Sequence, residues 1–110
     1  MPHQIQNCAV HRNTDQDLTI EVDLLNLTGS TLVWRMKRHM LADDADALIE
    51  KSSAVAGQVF MASPATDQAI VRLTAANLAI DPGVYYHAAM LTDTASNDSL
   101  ILDGSFEVAP

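Results

Sequence analysis

The sequence predicts an all-β sandwich or barrel. Three observations carry this: apolar residues recur at a period of two, turn signals separate the runs, and no long stretch has helical spacing. Leu18, Ile20, Val22 and Leu24 alternate with Thr19, Glu21 and Asp23, the pattern of a strand with one face in a core. After the turn signal Thr28-Gly29-Ser30, Leu32, Trp34 and Met36 alternate with Val33, Arg35 and Lys37, which gives a second strand with one charged face. Further strands are expected over residues 5–10, 58–61, 69–73, 84–92 and 99–108. Such closely spaced short strands make an antiparallel sandwich of about seven or eight strands. Its expected core holds Ile20, Val22, Leu32, Trp34, Met36, Ile70, Tyr85, Leu102 and Phe106.

Between the strands, residues 40–50 stay open between two readings. Leu41, Ala45, Leu48 and Ile49 fit a helical face, but Asp43, Asp44 and Asp46 lower helix propensity, and a loop ending in a strand fits equally. Residues 74–78 look like one short helical turn, capped by Thr74 and stopped by Asp81-Pro82-Gly83. The same Asp-Pro-Gly suits a tight reversal into a central strand at Val84. Asp103-Gly104 reads as a hairpin or as a bulge within one long final strand. The bulge is preferred, because two four-residue strands would leave a poorly supported edge.

The 110 residues fit one domain, spanning 1–110, with 48% apolar side chains to fill a core without metal or disulfide. The lone Cys8 excludes an internal bridge, and no apolar run approaches a membrane span. The first residues lack a basic stretch followed by an apolar one, so no signal peptide is expected and the chain is expected in a reducing cytosol or assembled there. Fourteen acidic against six basic residues give a net charge of −8, which argues against general nucleic-acid binding. Arg35, Lys37, Arg38 and Lys51 cluster in sequence, as a local positive patch or as a solvated strand face.

The search for chemistry yields no catalytic, cofactor or metal site. His3 and His11, eight apart on a strand, would stand about 26 Å apart and share no ion. Asp43, Asp44 and Asp46 lack the glycine and distal glutamate of a calcium loop. The loop 63–67 has no nucleophile-elbow pattern, and the four glycines stand alone rather than forming a phosphate loop. Cys8 reads as an inert thiol, and His87, on one strand face with Tyr85 and Ala89, as a half-exposed structural histidine. An enzyme is not expected.

From Asp15 onward the order of signals resembles a known type of phage protein. The strand from Asp17 leads to Leu27-Thr28-Gly29 and a strand with Arg or Lys on one face. Gly57-Gln58-Val59, Ile70-Val71-Arg72-Leu73-Thr74 and Asp81-Pro82-Gly83-Val84-Tyr85 follow, and Leu102-Asp103-Gly104-Ser105-Phe106-Glu107-Val108 closes the chain. Over about ninety residues this resembles the small immunoglobulin-like virion proteins of tailed phages and prophages, including the N-terminal module of upper baseplate proteins. The chain departs from that pattern at Tyr86-His87 and in the long acidic loop from Asp43. The resemblance implies an immunoglobulin-like sandwich, a virion assembled in the host cytoplasm, other virion proteins as partners, homo-oligomers within the particle, and no catalytic residue.

The working parts are then expected to be surfaces. Residues 40–53 make a long connection for short strands, a feature often functional. With the basic residues beside them they form the expected intersubunit contact: Arg35, Lys37, Arg38, Met40, Leu41, Asp43, Asp44 and Lys51. The N-terminal strand at 3–10 is the next candidate. A capsid-decorating or head-tail accessory protein of the same fold is the rival reading. A carbohydrate-binding module ranks lower, since it would need an exposed row of aromatics.

Overall fold

In the computed structural model, which describes residues 4–21, 29–61 and 68–110, the alternating segments pair into two sheets. The elements are β1 (Gln4–Ile5), β2 (Cys8–His11), β3 (Gln16–Glu21), β4 (Thr31–Lys37), β5 (Ile49–Ser52), β6 (Val59–Met61), β7 (Gln68–Leu73), β8 (Gly83–Thr92) and β9 (Asp98–Ala109). The six-stranded sheet runs β1-β9-β8-β4-β5 with β2 also on β9, and the three-stranded sheet runs β3-β7-β6. This is an all-β sandwich, and its strand order is that of an immunoglobulin-type domain. A connection to the opposite sheet precedes β4, and another follows β5.

The described strands number nine, more than the seven or eight expected, because the N-terminal strand is split and a separate β5 follows the acidic loop. The sheets are not wholly antiparallel either, as β1 and β2 both run parallel to β9. The loop-then-strand reading of residues 40–50 is the one realised: a single 3-10 turn at Asp44–Asp46, then β5. At Thr74 one hydrogen-bonded turn closes, Leu78 N–H to Thr74 O at 3.2 Å with Thr74 Oγ1 accepting from Asn77 N–H at 3.2 Å, without extending into a helix.

The core gathers Ile20, Leu32, Trp34, Met36, Tyr85, Leu102 and Phe106 as expected. Ile70 does not join them. The inward residues of β7 are Ala69, Val71 and Leu73, so Ile70 points outward beside Phe60, its partner on β6. The expectation chose the larger side chain, and the parity of the strand decides against it. Val22 and Leu24, with His3 and the loop 63–67, lie outside the described residues.

β9 is one strand, as preferred, but its bulge is not at Asp103-Gly104. Ala89 pairs with Leu102 and Met90 with Leu100, so Ile101 is the extra residue, and Ile101 and Leu102 are both buried. Gly104 pairs regularly with His87 and is needed for another reason. A Cβ there would lie 2.2 Å from the Gln6 carbonyl oxygen, which crosses directly over it. At the entry to β8, Tyr85 O–H donates to the Asp81 carbonyl, the corner tyrosine contact of such sandwiches.

Candidate interaction surface

The period of β4 sends Leu32, Trp34 and Met36 into the core and therefore turns Val33, Arg35 and Lys37 outward. On the same side β8 presents Tyr86, Ala88 and Met90. Val33 pairs with Met90, and Met90 pairs with Leu100 of β9, so three apolar side chains form one row across three strands. They line a shallow depression of about 200 Å³ together with Ala88, bounded by Met40, Arg35, Lys37, Asp44 and Tyr86.

The acidic loop is tied back to this face by Asp44. Lys37 Nζ lies 2.6 Å from Asp44 Oδ1, and Arg35 Nη1 lies 3.5 Å from Asp44 Oδ2. Arg35 Nε donates to Glu50 Oε2 at 2.8 Å, and Lys37 Nζ donates to the Ala42 carbonyl at 3.1 Å. The Lys37 hydrogen bond, with the positive charge of Arg35, holds the Asp44 carboxyl below its ordinary value. At the opposite rim Tyr86 O–H donates to Asp103 Oδ2 at 2.9 Å, and burial together with that carboxylate pushes the phenol up to about 12.

Of the expected contact residues, Arg35, Lys37, Met40 and Asp44 therefore line one feature. Arg38, Leu41 and Asp43 stand exposed in the loop beside it, Leu41 at 85% and Met40 at 62% exposure. Lys51 does not join them. It shares the inward side of β5 with Ile49 and is buried, because residues 35 and 51 lie on opposite faces of the sheet. The positive patch suggested by sequence spacing does not form either, since Arg35 and Lys37 face carboxylates within the same chain.

His87 corrects a further expectation: it is fully buried, not half-exposed. Its Nδ1 accepts from Trp34 Nε1–H at 3.0 Å, which leaves Nε2 to carry the proton and donate to the Gln6 carbonyl at 2.7 Å. Trp34, His87 and Phe106 meet at ring-centroid separations of 5.5–6.0 Å, in tilted or edge-on pairs. Burial pushes the imidazole pKa down, and the Gln6 carbonyl and Asp103 oppose that shift. With both ring nitrogens engaged, the imidazole acts as a strut between β8, β4 and the N-terminal strand. Cys8 Sγ lies 4.0 Å from Nε2, and burial raises its thiol pKa, which favours the protonated form.

Sequence reasoning missed Ala88, Met90 and Leu100 as surface residues. Their signal was present: β8 is apolar on both parities, whereas a half-exposed strand alternates. No family model matches the chain, and no curated protein matches it in sequence.

Proposed function

We propose that this chain is a non-enzymatic structural or adaptor subunit of a tailed-phage or prophage virion, associated with the tail or baseplate, that works through protein–protein contacts. The observation that supports it most is the outer face of β4, β8 and β9. There an apolar hollow is framed by charges already paired within the chain, and exposed Met40 and Leu41 stand at its margin. Such a face gains from being covered by another protein, since apolar area removed from water stabilises by about 25 cal/mol per Å². It offers no array of donors and acceptors aimed at a small polar substrate.

The sequence resemblance supplies the virion context. Its two most specific stretches sit at structurally demanding points: Pro82-Gly83-Val84-Tyr85 builds the corner into β8, and Gly104-Ser105-Phe106-Glu107-Val108 passes the Gln6 carbonyl and then pairs with β2 along the edge of β9. Capsid decoration or a head-tail accessory role uses the same surface. The carbohydrate-binding reading is weaker, because Tyr86 is the sole aromatic lining the hollow. The test is incorporation into particles. Arg35→Glu with Lys37→Glu, or deletion of residues 43–47, should lower incorporation while the isolated domain keeps its β-rich circular dichroism spectrum. Undiminished incorporation of folded variants would transfer the contact to the N-terminal strand.

A further inference from the structure

We propose that β1 and β2 form an acid-released strand: they lie along β9 while His87 is neutral, and they lift from it when the imidazole takes up a proton. At neutral pH the edge of β9 is then covered, and acid uncovers it.

The split of the N-terminal strand shows how the imidazole holds it. β1 and β2 keep a single register on β9, with Ile5 opposite Asp103 and Cys8 opposite Phe106, so no residue is inserted between them. In an uninterrupted parallel ladder, Gln6 N–H would donate to the Asp103 carbonyl and Ser105 N–H to the Gln6 carbonyl. The first bond is made, at 2.9 Å. In place of the second, the Gln6 carbonyl turns inward to accept from His87 Nε2 at 2.7 Å, and Asn7 Oδ1 takes Ser105 N–H at 3.0 Å. Gly104, the cross-strand partner of His87, leaves the space through which that carbonyl passes. The strand therefore gives up a ladder bond to reach the ring.

The ring has no room for a second proton where it stands. Nδ1 already accepts from Trp34 Nε1–H at 3.0 Å, so an imidazolium would set two donors against each other inside the core. Proton uptake requires the ring to meet water, and three elements cover it. Trp34 belongs to β4, which is paired on both sides by β5 and β8. Phe106 belongs to β9, which is paired along its length with β8. The third cover is β1 and β2, of two and four residues, which pair with β9 alone. Their further ties are the side-chain amides of Gln4 and Gln6, which donate to the Glu21 and Thr19 carbonyls. Departure of this strand is the least costly opening that wets the ring, and the proton selects the state so produced.

The groups around the ring leave His87 as the titrating one. β2 brings the Cys8 thiol, 4.0 Å from Nε2, whose neutral form burial favours. β9 brings the Asp103 carboxylate, which attracts an imidazolium but already accepts from Tyr86 O–H. β5 brings Lys51, opposite Trp34, whose ammonium repels one. On β8 itself Tyr85 points to the same side and donates its hydroxyl to the Asp81 carbonyl. The buried residues that the small sheet turns inward, Ile20, Val59, Ala69, Val71 and Leu73, are all apolar.

Hydrogen exchange on the full chain between about pH 7.5 and about pH 5, corrected for the intrinsic pH dependence of amide exchange, tests the proposal. Protection of residues 4–11 should stay below that of residues 31–37 throughout. It should fall by up to about tenfold per pH unit below about pH 6.5, the linkage of one proton. His87→Gln, whose amide can still accept from Trp34 and donate to Gln6, should abolish that fall, with circular dichroism showing the variant folded. Cys8 supplies a readout in the wild type alone. Its labelling by 4,4′-dithiodipyridine, divided by the rate for a peptide of residues 4–11, should climb over the same range. Protection at residues 4–11 that ignores pH, an equal fall in folded His87→Gln, or a constant labelling ratio overturns the release. Identical protection of residues 4–11 and 31–37 overturns it too, since global unfolding alone would then expose the ring.

Discussion

On the inner face of the large sheet, Trp34 and His87 satisfy one another and the Gln6 carbonyl in a fully buried cluster with Phe106. On the outer face of the same strands, Val33, Met90 and Leu100 remain partly open to solvent while Arg35 and Lys37 pair with Asp44 and Glu50. One alternation of sequence thus produces two surfaces with different consequences. The inner face sets stability, because each group there would lose a partner that water cannot replace. The outer face contributes less to folding, since Met40, Asp44 and Leu100 keep much of their hydration.

Truncation at the inner face should have the largest effect. Trp34→Ala removes a wholly buried aromatic and leaves His87 Nδ1 without its donor, and should cost about 3–5 kcal/mol of the ~5–15 kcal/mol typical of such a domain. Urea denaturation reads this directly, and an unchanged midpoint would abolish the distinction between the faces. Gly104→Ala comes next. Its Cβ would meet the Gln6 backbone oxygen, so the N-terminal strand must shift and the His87 Nε2 bond weaken, for a cost of about 1–3 kcal/mol. Hydrogen exchange should rise first at residues 4–11, and uniform exchange throughout would place the damage elsewhere.

The cluster should also make stability pH-dependent. The fold accepts the neutral imidazole, so the folded pKa lies below the unfolded value of about 6.5. The unfolded chain therefore takes up the proton first. Stability is full above about pH 6.5, falls as pH drops below it, and levels off beneath the folded pKa. Asp103 and the Gln6 carbonyl moderate the effect, and Cys8, protonated throughout this window, adds no charge. Urea midpoints across this range should slope in wild type and flatten in His87→Gln; equal slopes would assign the titration to other groups.

The smallest effects on folding belong to the outer face. Met90→Ser should cost the isolated domain about 1 kcal/mol and Asp44→Asn about 0.5 kcal/mol, because the first side chain is only partly buried and the second is itself largely exposed. Asp44→Asn should nevertheless speed proteolysis within residues 40–48, as it weakens the tie to Lys37 and Arg35. A loss of several kcal/mol in either variant would mean that the outer face helps hold the fold.

Much of the sandwich was legible in the period-two runs, because parity along a strand is local: Ile20, Leu32, Trp34 and Met36 were assigned inward from alternation, and Leu102 and Phe106 joined them in the expected core. The candidate surface was partly legible. Arg35, Lys37, Met40 and Asp44 were selected and do converge, whereas Lys51 was misplaced because nearness in sequence does not specify which face of a sheet a residue occupies. Ile70 went wrong for a related reason: hydrophobicity favoured it over Ala69, while the ladder with β3 fixed the parity of β7 the other way.

The sequence by itself determined the all-β class, which follows from the period-two runs. It placed the entry to β8 beside Asp81-Pro82-Gly83, where the chain makes a bend at Pro82 and Gly83 already starts the strand without a positive φ. It left the final segment open between a hairpin and one strand. Only the tertiary structure decided that the N-terminal segment splits to lie along β9, that Ile101 is the bulged residue, and that Gly104 must leave room for the Gln6 carbonyl. It also decided that His87 is a buried strut and that Asp44 neutralises two cations on β4. These features depend on pairs as distant as Gln6 with His87, whose meeting is set by strand register and sheet order, and no local preference encodes either.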